Sequence, residues 1–358
     1  MNPHRPVVGV AQAFKETLDL GTVAAALEHG ILAAGYEPIV LRASDGGDGL
    51  LDALSPEFTR TTSHVVAGPL GAPVDASAGW LDGETAVVES RLVCGLSLLG
   101  VAERDPARAT TRGVGGLLDA LVGLGARRII VGLGGSATMD GGAGMAAAWG
   151  WEFLDSSGRH VPDGGGGLEH LASVRPGRRP EARITGLVDV RHVLTGSEGA
   201  IQFAEQKGAT PEVAAALDRG LVELAALVDP SGVLSRRSGA GAAGGLGFGL
   251  MAFAGAELVS GAAWMLERLR FDSLLMEARA VVVGEGRFDA TSLGGKLTGE
   301  VLARASARGV PAVLAAPVVK ATPPGRVAIE TGGGGWSAAE LRRRVEVGLR
   351  RVASLSPL

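Results

Sequence analysis

Residues 128–144 read RIIVGLGGSATMDGGAG, a short apolar run that passes directly into a glycine-rich loop. The first four residues lack polar alternation, so they predict a strand that is buried on both faces, as in a parallel sheet. Residues 132–137 also match the G-x-G-x-x-A pattern, which alone is a weak sign of a dinucleotide site. Consecutive glycines with Ser136 and Thr138 suit a backbone N–H cradle for phosphate or carboxylate. The alternative is a tight strand-to-helix turn without a ligand.

The same arrangement, an apolar run followed by a polar or glycine-rich loop, recurs along the chain. The other runs are Val7–Val10, Pro38–Leu41, Ala280–Val283 and Pro311–Ala315. Strands that alternate with helices predict a doubly wound, mostly parallel α/β sheet of Rossmann-like type. Because the loops after such strands share one edge of the sheet, ligands bind there. The side chains expected near one cleft are Lys15, Asp45, Ser136, Asp140, Arg287 and Asp289.

One segment departs from this pattern. Asp82-Gly83 separates Ser77–Leu81 from Glu84–Val88, which is a strong signal for a two-residue β-hairpin. Antiparallel pairing at this point indicates a second subdomain inserted into the α/β layer. We therefore predict a discontinuous Rossmann-like domain and an inserted second α/β domain. The first is expected to comprise residues 1–60, 105–150 and 275–358, and the second residues 61–104 and 151–274.

Composition excludes several classes of function. The net charge of −4 argues against general nucleic-acid binding. The single cysteine, Cys94, allows no intrachain disulfide or structural zinc site and favours a reducing cytoplasm. The uncharged run 239–256 contains seven glycines, so it predicts a buried or ligand-facing loop and helix rather than a membrane span. We expect a small-molecule substrate, no nucleic-acid or membrane partner, and a monomer or homodimer.

Lysine is rare in this chain: of 34 cationic residues, only Lys15, Lys207, Lys296 and Lys320 are lysines. A retained lysine can mark a place that needs a compact ammonium, although chance is the alternative. Lys296 follows two glycines but precedes Leu297, so this is not a P-loop. Lys296 is a candidate for neutralising a transferring phosphoryl group, and a surface lysine before a helix is the alternative.

A second short motif carries carboxylates. Residues 45–49 read DGGDG, and the glycines allow a ligand to approach the backbone closely. The carboxylates of Asp45 and Asp48 can hold Mg²⁺ or accept hydrogen bonds from hydroxyl groups. The alternative is a turn that caps the next helix.

Together these segments resemble the bacterial type I glycerate kinases, from about Val7 to about Ala316. Each segment is weak alone, but their order and spacing are specific. The matching segments are FKE (14–16), DGGDG (45–49), GGSAT (134–138) with DGGAGM (140–145), QKGATP (206–211), 239–247, and GEGR (284–287) with Asp289 and Gly295-Lys296.

The resemblance implies an ATP- and Mg²⁺-dependent kinase that phosphorylates the 2-hydroxyl of D-glycerate, or of a similar small hydroxy acid, to give 2-phosphoglycerate. It implies Asp189 as base, Lys15 and Lys296 as catalytic cations, and Arg287 as the partner of the substrate carboxylate. The remaining substrate contacts are expected from Asp45 and Asp289, and the candidate metal ligand is Asp140. The expected phosphate- or nucleotide-binding residues are Gly134, Gly135, Ser136, Thr138, Gly141 and Gly142.

Some positions depart from the family pattern. The family usually has Asp and Ser where this chain has Gln12 and Ala13, and Asn where it has Met139. Arg191 and His192 stand where Asp and Asn are usual. These changes leave open a second hypothesis, a catalytically impaired paralogue that acts as a binding or regulatory protein. A dinucleotide-dependent oxidoreductase is the third, but residues 152–155 lack the parallel strand that such a site needs.

Overall fold

The computed structural model describes residues 5–14 and 17–354. The strands, in chain order, are β1 (Val7–Ala11), β2 (Pro38–Arg42), β3 (Arg60–Ala67), β4 (Pro73–Trp80), β5 (Thr85–Glu89), β6 (Arg128–Leu133), β7 (Glu152–Leu154), β8 (Ser173–Arg175), β9 (Arg183–Val188), β10 (Glu257–Ser260), β11 (Ala280–Gly284), β12 (Arg287–Phe288), β13 (Ala312–Ala315), β14 (Val318–Val319) and β15 (Val327–Glu330).

The α-helices alternate with these strands over much of the chain, as an α/β fold requires. In chain order they are α1 (Leu20–Ala33), α2 (Leu50–Leu54), α3 (Arg91–Cys94), α4 (Arg112–Gly123), α5 (Ala143–Ala147), α6 (Pro211–Val228), α7 (Ala242–Ala254), α8 (Gly261–Arg268), α9 (Phe271–Glu277), α10 (Ala290–Leu293), α11 (Leu297–Ala307) and α12 (Ala338–Ser354). Within the described ranges, none of these helices combines the length and hydrophobicity that a bilayer span requires.

The chain divides into two compact units whose boundaries differ from the predicted ones. The first unit comprises residues 1–45, 52–54 and 261–358, and the second comprises residues 46–51 and 55–260. Residues 105–150, expected in the first domain, belong to the second unit because β6 pairs with β5 on one side and β9 on the other. Residues 261–274, expected in the inserted domain, lie instead in the first unit.

The first unit is built on a five-stranded parallel sheet in the order β15-β13-β11-β1-β2. The residues of β1, β11 and β13 are buried, which explains why these runs carry no polar alternation. Helix α1 begins where the Asp19 carboxylate accepts the Thr22 amide at 2.8 Å. A Cβ at Gly30 of α1 would lie 2.7 Å from Val345 of α12, so glycine allows these two helices to pack closely.

The second unit contains a six-stranded mixed sheet in the order β10-β9-β6-β5-β4-β3. Strands β10, β9, β6 and β5 are parallel, whereas β4 pairs antiparallel with both β5 and β3. The antiparallel hairpin predicted here is confirmed, but Trp80 pairs with Ala86, so its connection is longer than the predicted two-residue turn. The mostly parallel sheets and their helices also confirm the predicted α/β fold class. Strand β7 pairs antiparallel with β8, so residues 152–154 do not form the parallel strand that an oxidoreductase would use.

The glycine-rich run 239–256 forms a buried helix, as predicted. Helix α7 is interrupted near its start, where Ala243, Gly244 and Gly245 have φ angles of 53°, 69° and 89°. These left-handed conformations suit glycine and bend the chain before the regular part of the helix begins. The bend matters for the site below, because it is packed against the loop that follows β6.

Candidate active site

The first unit has a pocket of about 520 Å³ at the carboxyl ends of its parallel strands. Four residues predicted for the site line it together: Asp45, Arg287, Asp289 and Lys296. They follow β2 and β11, so the rule that loops after parallel strands share one edge accounts for their convergence. The remaining predicted residue of this region, Lys15, lies outside the described residues.

One wall of this pocket is an ordered network of polar side chains. The Arg287 guanidinium donates to Asp289 at 3.0 Å, and Asp289 caps α10 by accepting the Thr291 amide at 2.9 Å. The Lys296 ammonium donates to the Thr291 hydroxyl at 3.0 Å. Hydrogen bonds from Thr291 and Arg287 lower the pKa of Asp289, so this carboxylate is charged at neutral pH. The Arg287 side chain is still 58% exposed and can reach a ligand.

Glu285 is a candidate functional residue of this pocket that has no role in the sequence-based assignment. Burial raises its pKa to about 7, although the Ser292 hydroxyl and the Lys296 ammonium partly oppose the shift. Its Oε1 atom is buried and has no hydrogen-bond partner among the described residues. A carboxyl group of this kind, lining a cleft, is typical of a functional site. The only sequence signal was its position between two glycines directly after a buried strand.

Gln12, which stands where the family usually has aspartate, forms hydrogen bonds within this pocket. The Gln12 amide donates to the Gly284 carbonyl at 3.1 Å and to the Thr298 hydroxyl at 2.7 Å. An aspartate at this position could not donate either hydrogen bond. Ala13, the other departure here, also lines the pocket and leaves more room than a serine would. The two changes therefore alter the pocket wall without leaving a buried donor unpaired.

The second unit presents a glycine-rich loop at the carboxyl end of β6. Strand β6 pairs with β9 so that Leu133 lies opposite Val188, which places Gly134 and Asp189 at the same edge of the sheet. Asp189 is half-buried there. The backbone amides of Gly134, Gly135 and Ser136 donate to no other residue within the described ranges. Consecutive unused N–H groups at a strand end are a suitable cradle for an anion.

The DGGDG motif contacts this loop within the second unit. A Cβ at Gly134 would lie 3.2 Å from the Gly47 Cα, and one at Gly135 would lie 3.1 Å from an Asp48 carboxylate oxygen. Arg91 lies 3.4 Å from Asp48 and 2.6 Å from Glu89. The absence of side chains at these glycines thus allows a carboxylate to approach the loop.

Lys207 is buried beneath the same loop and supports it. Its ammonium donates to the Ser136 hydroxyl at 3.1 Å and to the Thr138 carbonyl at 2.8 Å. Burial lowers the pKa of Lys207 to about 8, while Cys94 and Asp140 oppose this shift. The rarity of lysine pointed to Lys207, but the expected site residues did not include it. Its positive charge lies directly behind the residues predicted to hold phosphate.

Asp140 has a different role from the predicted one. Its buried carboxylate accepts the Thr111 amide at 2.8 Å, the Thr111 hydroxyl at 2.9 Å, and the Gly142 and Gly144 amides at 3.1 and 3.2 Å. Burial raises the pKa of Asp140, and the hydrogen bonds from Thr111 oppose this effect. Because Asp140 is completely buried and both of its oxygens accept protein donors, its carboxylate fixes the loop and is not open to a metal.

The amides of Gly141 and Gly142, which were predicted to contact phosphate, are also occupied within the protein. The Gly141 amide donates to the Gly244 carbonyl at 3.1 Å, and the Gly142 amide donates to Asp140. Their φ angles of 61° and 79° are left-handed. A Cβ at Gly142 would lie 2.7 Å from the Gly249 Cα of α7. These two glycines therefore pack the loop against α7, backbone against backbone.

The other departures from the family pattern lie in the second unit, each in a different environment. Met139 is fully buried in the hydrophobic core of the second unit. The His192 ring contacts the Glu198 carbonyl at 3.0 Å and packs edge-on against Phe203. Arg191 is exposed. Among the described residues, no group of three His, Cys, Asp or Glu side chains is placed to hold a metal ion.

Parallel sheets whose carboxyl edges carry cations, carboxylates and a glycine-rich loop are suited to binding a phosphate-bearing ligand. A sequence model of the glycerate kinase family matches residues 7–328. This protein therefore belongs to the glycerate kinase family, and the predicted resemblance is confirmed.

Individual relatives agree with this assignment. The chain is 38% identical over 318 residues to a glycerate kinase from Bacillus subtilis (strain 168), which covers 86% of this chain and 83% of that one. It is 37% identical over 302 residues to a glycerate 2-kinase from Escherichia coli (strain K12), covering 81% and 79%. The crystal structure of a candidate glycerate kinase 2 from Salmonella typhimurium LT2 superimposes with a TM-score of 0.80 at 32% identity, covering 98% of each chain.

Proposed function

We propose that this protein transfers the γ-phosphoryl group of ATP to the 2-hydroxyl of D-glycerate, with Mg²⁺, and releases 2-phosphoglycerate. The observation that carries the proposal is the pocket of the first unit, where Arg287 and Lys296 lie with three carboxyl groups at the ligand-binding edge of a parallel sheet. Two cations suit a small acid and a transferring phosphoryl group, and membership of the family identifies glycerate as the acid to test.

The cations have separate tasks in this proposal. Arg287 pairs with the substrate carboxylate through its planar guanidinium fork, because its side chain is exposed and already oriented by Asp289. Lys296 neutralises charge on the moving phosphoryl group. Asp45 and Asp289 position hydroxyl groups of the acceptor. In the second unit, the amides of Gly134, Gly135 and Ser136, backed by the buried charge of Lys207, hold nucleotide phosphates.

Mg²⁺ fits the donors of this chain in the manner usual for nucleotide sites. A protein commonly supplies one or two carboxylates, and phosphate oxygens and water complete the coordination shell. Asp48 is the carboxylate that lies against the glycine loop, so it is our candidate ligand in place of Asp140. When bound, the ion neutralises charge on the phosphates and aligns them for transfer.

Two carboxylates are candidates for accepting the proton of the substrate hydroxyl. The family resemblance assigns this role to Asp189, at the end of β9. Glu285 is favoured by a specific observation, since a pKa of about 7 is well matched to a base that works near neutral pH. The two are distinguished by the pH dependence of kcat/KM. The role belongs to Glu285 if the Glu285→Gln variant loses the acidic limb of the kcat/KM profile near pH 7 and the Asp189→Asn variant retains it.

The experiment that tests the function measures ADP release with purified protein, Mg-ATP and D-glycerate. We expect turnover that depends on both substrates. The ³¹P spectrum of the product identifies the position, because a 2-phosphate couples to one methine proton and a 3-phosphate couples to two methylene protons. No turnover with D-glycerate or related hydroxy acids would favour the impaired paralogue. The contacts of Gln12, Met139 and His192 favour an active enzyme, since each of these departures is accommodated within the protein. Arg191 introduces a positive charge where the family has aspartate, and it therefore keeps the impaired paralogue as the alternative.

We also propose that the enzyme works in the cytoplasm. The one thiol of the chain, Cys94, is buried, and burial raises its pKa to about 12. The chain therefore relies on no disulfide for its stability, as is typical of proteins in a reducing compartment.

A further inference from the structure

The first unit has a second pocket, at the opposite edge of its sheet from the candidate active site. Its volume is about 460 Å³, which is within the range of small-molecule sites. Four arginines line it, Arg5, Arg279, Arg308 and Arg326, and its lining contains no aspartate or glutamate. The other lining residues are Leu275, Met276, Ala278, Gly309, Val310 and Pro311.

The arginines form a row because of where they stand in the chain. Arg279 and Arg326 immediately precede β11 and β15, Arg5 lies two residues before β1, and Arg308 lies shortly before β13. These four strands are neighbours in the parallel order β15-β13-β11-β1. Their amino ends therefore lie side by side, and so do the residues that precede them. The sheet topology thus gathers four guanidinium groups around one concavity.

The charge of two of these arginines is not neutralised by carboxylates of the described residues. Arg308 lies 3.3 Å from Asp272, which lies outside the lining of the pocket. Arg5 donates to the Met276 carbonyl at 3.2 Å, and Arg279 lies over the Tyr36 ring at 5.3 Å. Neither Arg5 nor Arg279 forms an ion pair with a carboxylate of the described residues. A cleft lined by charges of one sign concentrates the field and attracts the opposite charge.

The walls strengthen this attraction and suit a small ligand. Leu275 and Ala278 are buried, and Val310 and Pro311 add apolar surface beside the arginines. Apolar walls lower the local dielectric and so strengthen charge interactions. Guanidinium groups match the geometry of phosphate oxygens through paired hydrogen bonds. We propose that this pocket binds a small phosphate-bearing anion, at a site separate from the candidate active site.

The test uses inorganic pyrophosphate as the probe and isothermal titration calorimetry as the measurement, with no nucleotide or acceptor present. The candidate active site can also take up pyrophosphate, so the outcome is taken from the class of binding that depends on Arg279, which does not rest on the proposed function. We expect Arg279→Gln to weaken one class of pyrophosphate binding by about tenfold, because it removes charge-assisted hydrogen bonds. Binding should also weaken as NaCl is raised, since several charges are involved.

Arg268→Gln is the matched control. Arg268 also lies over an aromatic ring of the first unit, Trp264 at 5.7 Å, but it is outside the pocket. Thermal melting of both variants checks that they are folded, and Arg5→Gln provides a second variant if Arg279→Gln is not. Unchanged pyrophosphate binding in the pocket variants, or an equal loss in Arg268→Gln, overturns the proposal. Tighter Arg279-dependent binding of a single-stranded oligonucleotide also overturns it, because the pocket would then serve a nucleic acid.

Discussion

The ligand-facing edges of the two units share a parallel-strand topology but are built from different chemical groups. In the first unit, the edge is formed by side chains that line an open pocket, among them Arg287, Asp289, Lys296 and Glu285. In the second unit, the main chain presents amides while Asp140 and Lys207 support it from beneath. The edge of the first unit therefore depends on charged side chains that can be substituted, whereas the edge of the second unit depends on close packing of the backbone.

The largest expected effect is on catalysis, at the side-chain edge. Lys296→Met should lower kcat by about 10²–10³-fold, the usual loss when one group that stabilises transition-state charge is removed. Lys296 is only partly buried and bonds only to Thr291 among the described side chains, so the melting temperature should change little. The measurement is ADP release under saturating substrates.

Lys320→Met is the control for this change. It removes an exposed lysine of the first unit that does not line the pocket. Equal rates for Lys296→Met and the unsubstituted protein would remove Lys296 from the proposed mechanism while leaving the fold and family unaffected.

The next effect is on stability, at the main-chain edge. Gly142→Ala should reduce the free energy of unfolding by about 2–4 kcal/mol, since overpacking and a left-handed conformation both disfavour the new methyl group. The clash is with the Gly249 Cα, which cannot rotate away. Chemical denaturation provides the measurement.

Gly150→Ala separates the two causes. Gly150 has a φ of 81°, close to that of Gly142, but a Cβ there meets nothing within 4 Å. We expect it to lose only the conformational part, about 1 kcal/mol. Similar losses in both variants would show that packing against α7 contributes little.

A smaller effect is the change of folding stability with pH, which differs in sign between the two edges. Glu285 has a folded pKa raised to about 7 from 4.5, so the folded protein binds more protons than the unfolded chain between these values. Stability contributed by this group therefore falls as the pH rises from 4.5 to 7. Glu285→Gln should match the unsubstituted protein near pH 4.5 and be more stable at pH 8, by at most about 3 kcal/mol. Urea denaturation across this range tests the expectation, and a constant difference between the two proteins would contradict it.

The opposite slope is expected from Lys207. Its folded pKa is lowered to about 8 from 10.5, so the folded protein binds fewer protons than the unfolded chain between these values. Stability contributed by Lys207 rises with pH across that window. Lys207→Met should abolish this rise, whatever its effect at neutral pH from loss of the contacts to Ser136 and Thr138. Persistence of the full slope in the variant would show that Lys207 is not its source.

Sequence reasoning worked best where one local rule was sufficient. The apolar runs before Asp45 and Arg287 predicted parallel strands, and the shared edge of such strands placed both residues in one pocket. The turn residues Asp82 and Gly83 predicted the antiparallel hairpin, although its connection is longer than the two residues expected. The family resemblance added what these rules cannot supply, namely the kind of reaction to consider.

Sequence reasoning failed where the partner of a residue came from a distant part of the chain. In the sequence, Asp140 has no visible partner and so was predicted to be a metal ligand. Its donor Thr111 lies 29 residues earlier, and only the folded chain brings the two residues together. Glu285 gained its raised pKa from burial, which a sequence does not display. The domain boundaries differed because β6 joins the sheet that contains the hairpin, and strand neighbours across a helical connection are not encoded locally.

The contact of Gly142 with Gly249 limits where this protein can change by substitution. Neither residue has a side chain that could be shortened or exchanged, and each blocks enlargement of the other. Gln12 and Ala13 carry side chains that line the pocket of the first unit, and they are free of this constraint. If that pocket holds the acid, as we propose, directed evolution for altered acids should accumulate substitutions at these two positions and leave the glycine pair intact.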